Sequence, residues 1–369
     1  MRLAAWGKGH PGWTWMIVCA VVAVLISAVY LLVGGHGVSP KNQADPQYVE
    51  EGGQVQFGDE KFEAAVRRYL KRPSGDIYAL ELMDLNALVL TGDAALEDVS
   101  DLRYFVSLEK LTITGTGVRD ISVLQNLPVL REVNLSGNAI ASLEGLQGHK
   151  NLTSLQLQKN RITDMTPLFS LERLEFLDLA LNNISAVGDG VRRLARLREC
   201  NISGNRLSSI DSFSGMGNLR ILRAANNKIT AVAPLVGMAS LEKLNLEGNA
   251  ISAMASLGET PRLEEVYLSH NLLTDLAFAP ACRSLRVLDI SDNDVADLDP
   301  LSGCGALEAL HLEGTRAQDL TPLHGLEHFS ANYLDPEFDR TKIDFLVSHF
   351  STGDFLTKKY IIAQKHDLL

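Results

Sequence analysis

The sequence predicts an α/β solenoid, in which short repeated coils stack on one another and share one continuous core. The first observation is an asparagine that recurs every 22 residues, with a single interval of 23. The second is the pattern LxxLxLxxN that ends on each asparagine, and the third is an apolar pair that follows it, such as Leu168 and Leu171. A fixed period of about 20 to 50 residues is typical of repeat architectures. The asparagines are Asn138, Asn160, Asn182, Asn205, Asn227, Asn249, Asn271 and Asn293.

Each repeat predicts one short strand. In the unit that starts at Leu152, the apolar Leu155 and Leu157 alternate with polar neighbours, which is the period of a half-buried strand. A single unit cannot bury these leucines, whereas stacked coils bury them against their neighbours. We therefore expect the fourth and sixth positions of every unit to point inward, and the third and fifth positions to point outward.

The asparagine at the ninth position predicts a buried amide at the point where the strand turns away. Its side chain can donate to and accept from backbone groups of the turn and of the next coil. These groups would otherwise stay unpaired, at a cost of about 1 to 3 kcal/mol each. We expect the recurring asparagines to form a structural ladder along the array.

These motifs resemble the leucine-rich repeat, and they cover most of the chain. The 22-residue period with the pattern I(T/S)D(M/I/L)xPL is similar to the internalin-like subclass of bacterial surface proteins. The resemblance implies a horseshoe of about eleven units, which we expect to start near Leu85, Leu108, Leu130, Leu152, Leu174, Leu197, Leu219, Leu241, Leu263, Leu285 and Leu307.

The flanks of the array also resemble this family. "FGDEKFEAAVRRYLKRPSGDI", residues 57–77, is similar to its helical N-terminal cap, and "ANYLD", residues 331–335, is similar to its short closing cap. No LPxTG sorting signal or immunoglobulin-like domain follows the array, so cell-wall attachment and host invasion are not implied. We expect a cytoplasmic N-terminus (1–12), a transmembrane signal-anchor helix (13–34), a flexible spacer (35–56), the N-terminal cap (57–84), the repeats (85–328) and the C-terminal cap (329–369).

The anchor is predicted from "MIVCAVVAVLISAVYLLV", residues 16–33, which contains 18 residues without a charge. At about 1.5 Å per helical residue, this length approaches the hydrocarbon thickness of a bilayer. Arg2 and Lys8 precede the segment and favour a cytoplasmic N-terminus, so the repeats are expected to be extracytoplasmic. The alternative is a signal peptide that is cleaved, which would leave the protein secreted.

Composition and motifs argue against several other functions. The formal net charge of -11 is unsuited to a nucleic-acid partner. His311, His324 and His328 lie close in sequence, but His311 falls on the strand and the others on the return segment, so no metal site is expected. Cys282 and Cys304 are one period apart, and core packing is favoured over a disulfide. We expect no cofactor and no enzymatic activity, because an open array offers no enclosed pocket.

The outward strand positions are the predicted protein-binding surface. Apolar or aromatic side chains there are separated by polar ones, as in protein interfaces. We expect a scaffold for a protein or peptide ligand; the alternatives are a structural cell-envelope protein and the ectodomain of a receptor that needs a separate transducer. "VRRLARLRE", residues 191–199, is interpreted as a solvated outer face, with contact to an anionic polymer or lipid as the alternative. The predicted binding residues are Phe176, Asp178, Glu199, Asn201, Ile221, Arg223, Asn245, Tyr267, Val287 and Asp289.

Overall fold

The structure is a computed structural model, and it describes residues 53–92, 96, 98–233, 235–255, 257, 260–323, 325–326 and 330–333. For Ala253 and for residues 330–333 it describes the backbone alone. The predicted cytoplasmic N-terminus and membrane anchor lie outside the described residues, as do most of the predicted spacer and of the C-terminal cap.

A single parallel sheet runs through the repeat array. Each of the eleven predicted units contributes one strand to it, and each strand pairs with the strand of the neighbouring unit. The sheet does not close on itself, which confirms the predicted solenoid. Its strands are β1 (Ala87–Thr91), β2 (Lys110–Thr114), β3 (Glu132–Asn134), β4 (Ser154–Gln156), β5 (Phe176–Asp178), β6 (Glu199–Asn201), β7 (Ile221–Arg223), β9 (Lys243–Asn245), β11 (Glu265–Tyr267), β12 (Val287–Asp289), β13 (Ala309–His311) and β14 (Ser330–Tyr333).

The pairing register stacks equivalent positions of successive units. Leu155 pairs with Leu177, and Leu177 pairs with Cys200 one strand further on. All three side chains are completely buried, as expected for the inward fourth position. The core is therefore a continuous column of apolar side chains behind the sheet.

Short 3-10 helices carry the chain back from most strands. Four of them contain a proline near the start, namely Pro167, Pro280, Pro300 and Pro322. Two units instead carry β8 (Ala231–Val232) and β10 (Ala253–Met254), which pair in parallel as a separate small sheet. The 3-10 helices are Ser100–Tyr104, Ser122–Asn126, Glu144–Leu146, Thr166–Ser170, Asp189–Arg193, Asp211–Phe213, Ala279–Ala281, Asp299–Leu301 and Thr321–Leu323.

Two α-helices, α1 (Glu60–Tyr69) and α2 (Ala79–Met83), precede the first strand within the region predicted as a cap. Phe62 of α1 is completely buried, because the amphipathic helix turns its apolar side toward the array. The Tyr69 hydroxyl donates to the backbone carbonyl of Ala87 in β1 at 2.8 Å. The helix α1 is thereby tied to the first coil.

The sheet extends one strand beyond the predicted repeats. The backbone of β14 pairs with β13, with an irregular register between Leu310 and His311. This strand falls where the sequence indicated the start of the C-terminal cap. Because β13 has an open edge of N–H and C=O groups, a following strand can satisfy them without a complete repeat.

The asparagines hold each coil to the one before it. The amide nitrogen of Asn205 donates to the carbonyls of Ile202, in its own turn, and Leu179, in the preceding unit, at 2.9 and 3.0 Å. Its carbonyl oxygen accepts from the backbone N–H of Ile184 at 3.0 Å. The coil that the amide reaches is thus the preceding one, and the prediction that its partners lie in the next coil was wrong. The reason is that this side of the turn after each strand lies against the turn of the preceding unit.

Candidate functional site

The outward positions of the strands form two parallel rows, which we call the strand face. Because the strands of the main sheet from β1 to β13 pair in register, the third positions of successive units stack on one another, and so do the fifth positions. All ten predicted binding residues lie in these rows. The third-position row contains Phe176, Glu199, Ile221, Lys243, Glu265 and Val287, and the fifth-position row contains Asp178, Asn201, Arg223, Asn245, Tyr267 and Asp289.

The large apolar side chains Phe176, Ile221 and Val287 of the strand face are half-buried and separated from one another. Phe176 and Ile221 lie in the same row with Glu199 between them, and Val287 lies beyond Lys243 and Glu265. Adjacent strands are about 4.8 Å apart, so Phe176 and Ile221 are roughly 10 Å apart along the row. The strand face is therefore a mosaic of apolar and charged groups, and it presents no continuous apolar patch.

Glu265 holds two neighbouring side chains of the strand face in position through hydrogen bonds. Its carboxylate accepts from the Lys243 ammonium at 2.6 Å and from the Tyr267 hydroxyl at 3.0 Å. Burial raises the pKa of Tyr267 to about 12, and the hydrogen bond to Glu265 and the nearby Asp289 carboxylate act in the same direction. The phenol is consequently a neutral, positioned donor at physiological pH.

A second contact links Arg223 to Glu199 across adjacent strands, with 3.8 Å between guanidinium and carboxylate. In the fifth-position row, the amide of Asn201 on β6 donates to the carboxylate of Asp178 on β5 at 3.3 Å. These polar side chains are therefore held in place before any ligand binds, which reduces the conformational entropy that binding must remove.

A further charged row, which was not predicted from the sequence, lies at the second position of most units, immediately before the strands. The backbone groups of this row continue the hydrogen bonding of the sheet. Arg198 N donates to the Glu175 carbonyl and Arg220 N donates to the Arg198 carbonyl, both at 2.8 Å. Its side chains form ion pairs between units, including Arg220 with Glu242 at 2.9 Å. The signal that could have revealed this row is the recurrence of glutamate and arginine at the 22-residue period, as in Arg220 and Glu242.

The four arginines of residues 191–199 are all exposed, as predicted, but they do not lie on one outer face. Arg192 and Arg193 lie in the 3-10 helix Asp189–Arg193 of the return segment. Arg196 and Arg198 instead line a groove beside the starts of the strands. The two pairs of arginines are separated because the chain turns after Leu194 and then enters the next strand. Leu194 itself is completely buried.

Two further expectations concern cysteines and metals. Cys282 and Cys304 are buried free thiols, and burial raises the pKa of Cys282 to about 12. Their sulfur atoms contact the backbone carbonyls of Phe278 and Ala279 at 3.6 and 3.5 Å, which fits core packing. Among the described residues no group of three or more metal-ligating side chains comes together, and His324 and His328 lie outside them. No helix in the described part of the chain is both long and apolar enough to span a bilayer.

Family models for leucine-rich repeats match three stretches of the chain. Residues 150–207 match a leucine rich repeat model, and residues 188–256 match the repeat region of leucine-rich repeat and WD repeat-containing protein 1. Residues 261–303 match a model for two copies of the repeat. No curated protein sequence matches the chain.

Solved structures of this fold resemble the chain over most of its length. An internalin (InlF) from Listeria monocytogenes is 23% identical with a TM-score of 0.67, and the alignment covers 76% of this chain and 90% of the internalin. TLR13 in its complex with ssRNA13 is 20% identical with a TM-score of 0.56, covering 69% of this chain and 44% of TLR13. The plant peptide hormone receptor RGFR1, in complex with RGF2, is 16% identical with a TM-score of 0.51, covering 70% and 49%. The described part of this chain therefore has the leucine-rich repeat fold.

Proposed function

We propose that this chain is a membrane-anchored extracytoplasmic scaffold of the bacterial, internalin-like kind that binds a protein or peptide partner through its strand face. The observation that carries the proposal is the pair of in-register rows in which Phe176, Ile221, Tyr267 and Val287 are half-buried among positioned polar groups. Aromatic and apolar anchors surrounded by polar groups supply most of the binding energy in protein interfaces.

The charge of the strand face suggests what kind of partner fits. Between Lys110 and His311 its two rows carry five carboxylates but only three lysine or arginine side chains, so the surface is acidic. We expect the contacting surface of the partner to be basic with exposed apolar side chains, because complementary charge steers association.

Nucleic acid is not the proposed partner, although TLR13, which shares the fold, is in complex with a single-stranded RNA. The proposal rests on the acidic strand face and on the chain's formal net charge of -11, since phosphate backbones require neutralising lysines and arginines. Catalysis is not proposed either, because the strand face is an open surface rather than an enclosed pocket.

The anchor in the proposal rests on the uncharged segment 16–33, with Arg2 and Lys8 on its N-terminal side. An anchored array would present the strand face to partners outside the membrane. The similarity of fold to an internalin agrees with a surface location, but the proposed anchor does not rest on that similarity.

The test is crosslinking in the native cell. A photoreactive amino acid at Asn201, in the centre of the strand face, should capture one protein species. The same amino acid at Arg193, on the return segment, is the matched control and should not capture that species. Each captured species would be identified by mass spectrometry after stringent washing.

Two outcomes would contradict the proposal. Capture from Arg193 but not from Asn201 would favour a structural envelope protein that assembles through its outer side. Recovery of RNA, sensitive to ribonuclease, from Asn201 would show that the acidic character of the strand face does not exclude nucleic acid.

A further inference from the structure

A groove of about 500 Å³ lies beside the starts of strands β6, β7 and β9. We call it the arginine groove, because four of its eight lining residues are arginines. The lining residues are Glu175, Arg196, Arg198, Asn218, Arg220, Ser240, Glu242 and Arg262. The groove adjoins the strand face, since Arg198 immediately precedes Glu199 of β6 and Arg220 immediately precedes Ile221 of β7.

The wall nearest the strand face is electrically balanced. Arg198 lies 3.7 Å from Glu175, and Arg220 makes a two-pronged contact with Glu242, in which both N···O distances are 2.9 Å. Each guanidinium thus already faces one carboxylate from an adjacent unit. These contacts fix the positions of the arginines along this wall.

The opposite wall carries charge that has no ion-pair partner among the residues that the structure describes. It is formed by residues one period apart, with Arg196 and Arg262 at its ends and Asn218 and Ser240 between them. Among the residues that the structure describes, neither Arg196 nor Arg262 makes an ion pair, and both are exposed. Three strand spacings of about 4.8 Å place their backbones roughly 14 Å apart.

The arginine groove is consequently a positive site on an acidic protein. Four guanidinium groups face two carboxylates, which leaves two excess positive charges in a chain of formal net charge -11. Guanidinium groups bind carboxylates through two parallel hydrogen bonds, and they do so more specifically than ammonium groups. A stretch of roughly 14 Å corresponds to about four residues of extended peptide.

We propose that the arginine groove binds an acidic, extended peptide segment, whose carboxylates contact Arg196 and Arg262. This inference rests on the proposed function, because the segment would belong to the same protein partner that covers the adjoining strand face. A basic and apolar surface on the partner would lie against the strand face, while its acidic segment would occupy the groove. The two contacts together would fix the partner's orientation along the array.

The proposal can be tested with a fluorescein-labelled hexaglutamate peptide and the purified full-length chain in detergent. Fluorescence anisotropy at low ionic strength should show saturable binding that weakens as salt is added. The double variant Arg196→Glu/Arg262→Glu should weaken binding at least about tenfold, which corresponds to about 1.4 kcal/mol. Arg119→Glu/Arg161→Glu is the matched control, because it reverses two other exposed arginines and changes the net charge equally.

Three results would overturn the proposal: no saturable binding of hexaglutamate, equal weakening by the two double variants, or much tighter binding of inorganic polyphosphate at the same groove. The second result would mean that overall charge, and not the groove, controls binding. The third would assign the groove to phosphate groups instead of carboxylates. Circular dichroism would verify that both double variants are folded.

Failure of this inference is distinguishable from failure of the proposed function. Phe176→Ala and Tyr267→Ala change the strand face but no residue of the groove, so hexaglutamate should bind these variants as it binds the natural chain. If they bind hexaglutamate normally and also capture the cellular partner normally, the strand-face proposal fails while the groove remains. If they lose the partner and hexaglutamate never bound, the groove inference alone fails.

Discussion

Replacement of Asn205 by alanine removes one rung of the asparagine ladder, and the structure allows its cost to be worked out group by group. Three backbone carbonyls lose a donor, but each keeps a second one. Leu179 O still accepts from Asn182, and Ile202 O still accepts from Asn227. Ser203 O still accepts from the backbone N–H of Leu181. The backbone N–H of Ile184 loses its acceptor. Ile184 is completely buried, so water cannot replace the lost oxygen.

The expected loss therefore comes mainly from one buried donor. An unsatisfied buried group costs about 1 to 3 kcal/mol, whereas a carbonyl that keeps one of two donors costs less. At the end of the array, the Thr315 hydroxyl donates to Leu312 O, which also accepts from the backbone N–H of Thr315. Thr315→Ala should consequently cost less than about 1 kcal/mol, because no buried donor is orphaned.

Two measurements check this reasoning. Equilibrium urea unfolding gives the free-energy losses, and amide hydrogen exchange should show faster exchange at Ile184 in the Asn205→Ala variant. Asn183→Ala is the matched control, because that amide is only half-buried and its described side-chain contact is with Arg206. Equal losses for Asn205→Ala and Thr315→Ala, or unchanged exchange at Ile184, would refute the account of the ladder.

The remaining predictions concern the strand face and the membrane. Phe176→Ala, Arg223→Ala and Tyr267→Ala should each weaken partner capture by about 1 kcal/mol or more with little change in thermal stability, measured by binding and melting experiments; capture that is unaffected by all three would contradict the proposed surface. Because the folded-state pKa of Tyr267 is raised from 10.0 to about 12, its contribution to stability should be complete below pH 10 and lost as pH rises toward 12. Spectrophotometric titration of the natural chain and of Tyr267→Phe checks this, and a difference between the two titration curves near pH 10 would contradict it. Protease added to intact cells or spheroplasts should digest the repeats, and complete protection until lysis would refute the extracytoplasmic location.

Much of the fold could be predicted from periodicity, because stacking in a solenoid is nearly one-dimensional. Leu155, Leu177 and Cys200 occupy the same position in successive units, so the repeat alone indicates that all three face inward. The same argument places Phe176 and Tyr267 on the outward surface. Contacts with the neighbouring unit decide these orientations, and every central unit has nearly the same neighbours.

Side-chain partners between units required the tertiary structure. The pairing of Arg220 with Glu242 rather than with Glu199 depends on which atoms meet across two coils. The hydrogen bond from Tyr267 to Glu265 likewise depends on how both side chains turn within one strand. Sequence spacing gives the row in which a residue lies, but not the direction of a long side chain within that row.

By itself, the sequence determined the number of predicted units, the inward and outward positions, and the asparagine ladder, because each follows from a period that repeats in every coil. Only the tertiary structure decided that the ladder reaches the preceding coil, that β14 extends the sheet, and that Arg196 lies in a groove while Arg193 lies on the return segment. These features arise where the chain turns or where the array ends. The particular neighbours that each residue meets there determine where its backbone and side chain lie, and sequence spacing does not specify those neighbours.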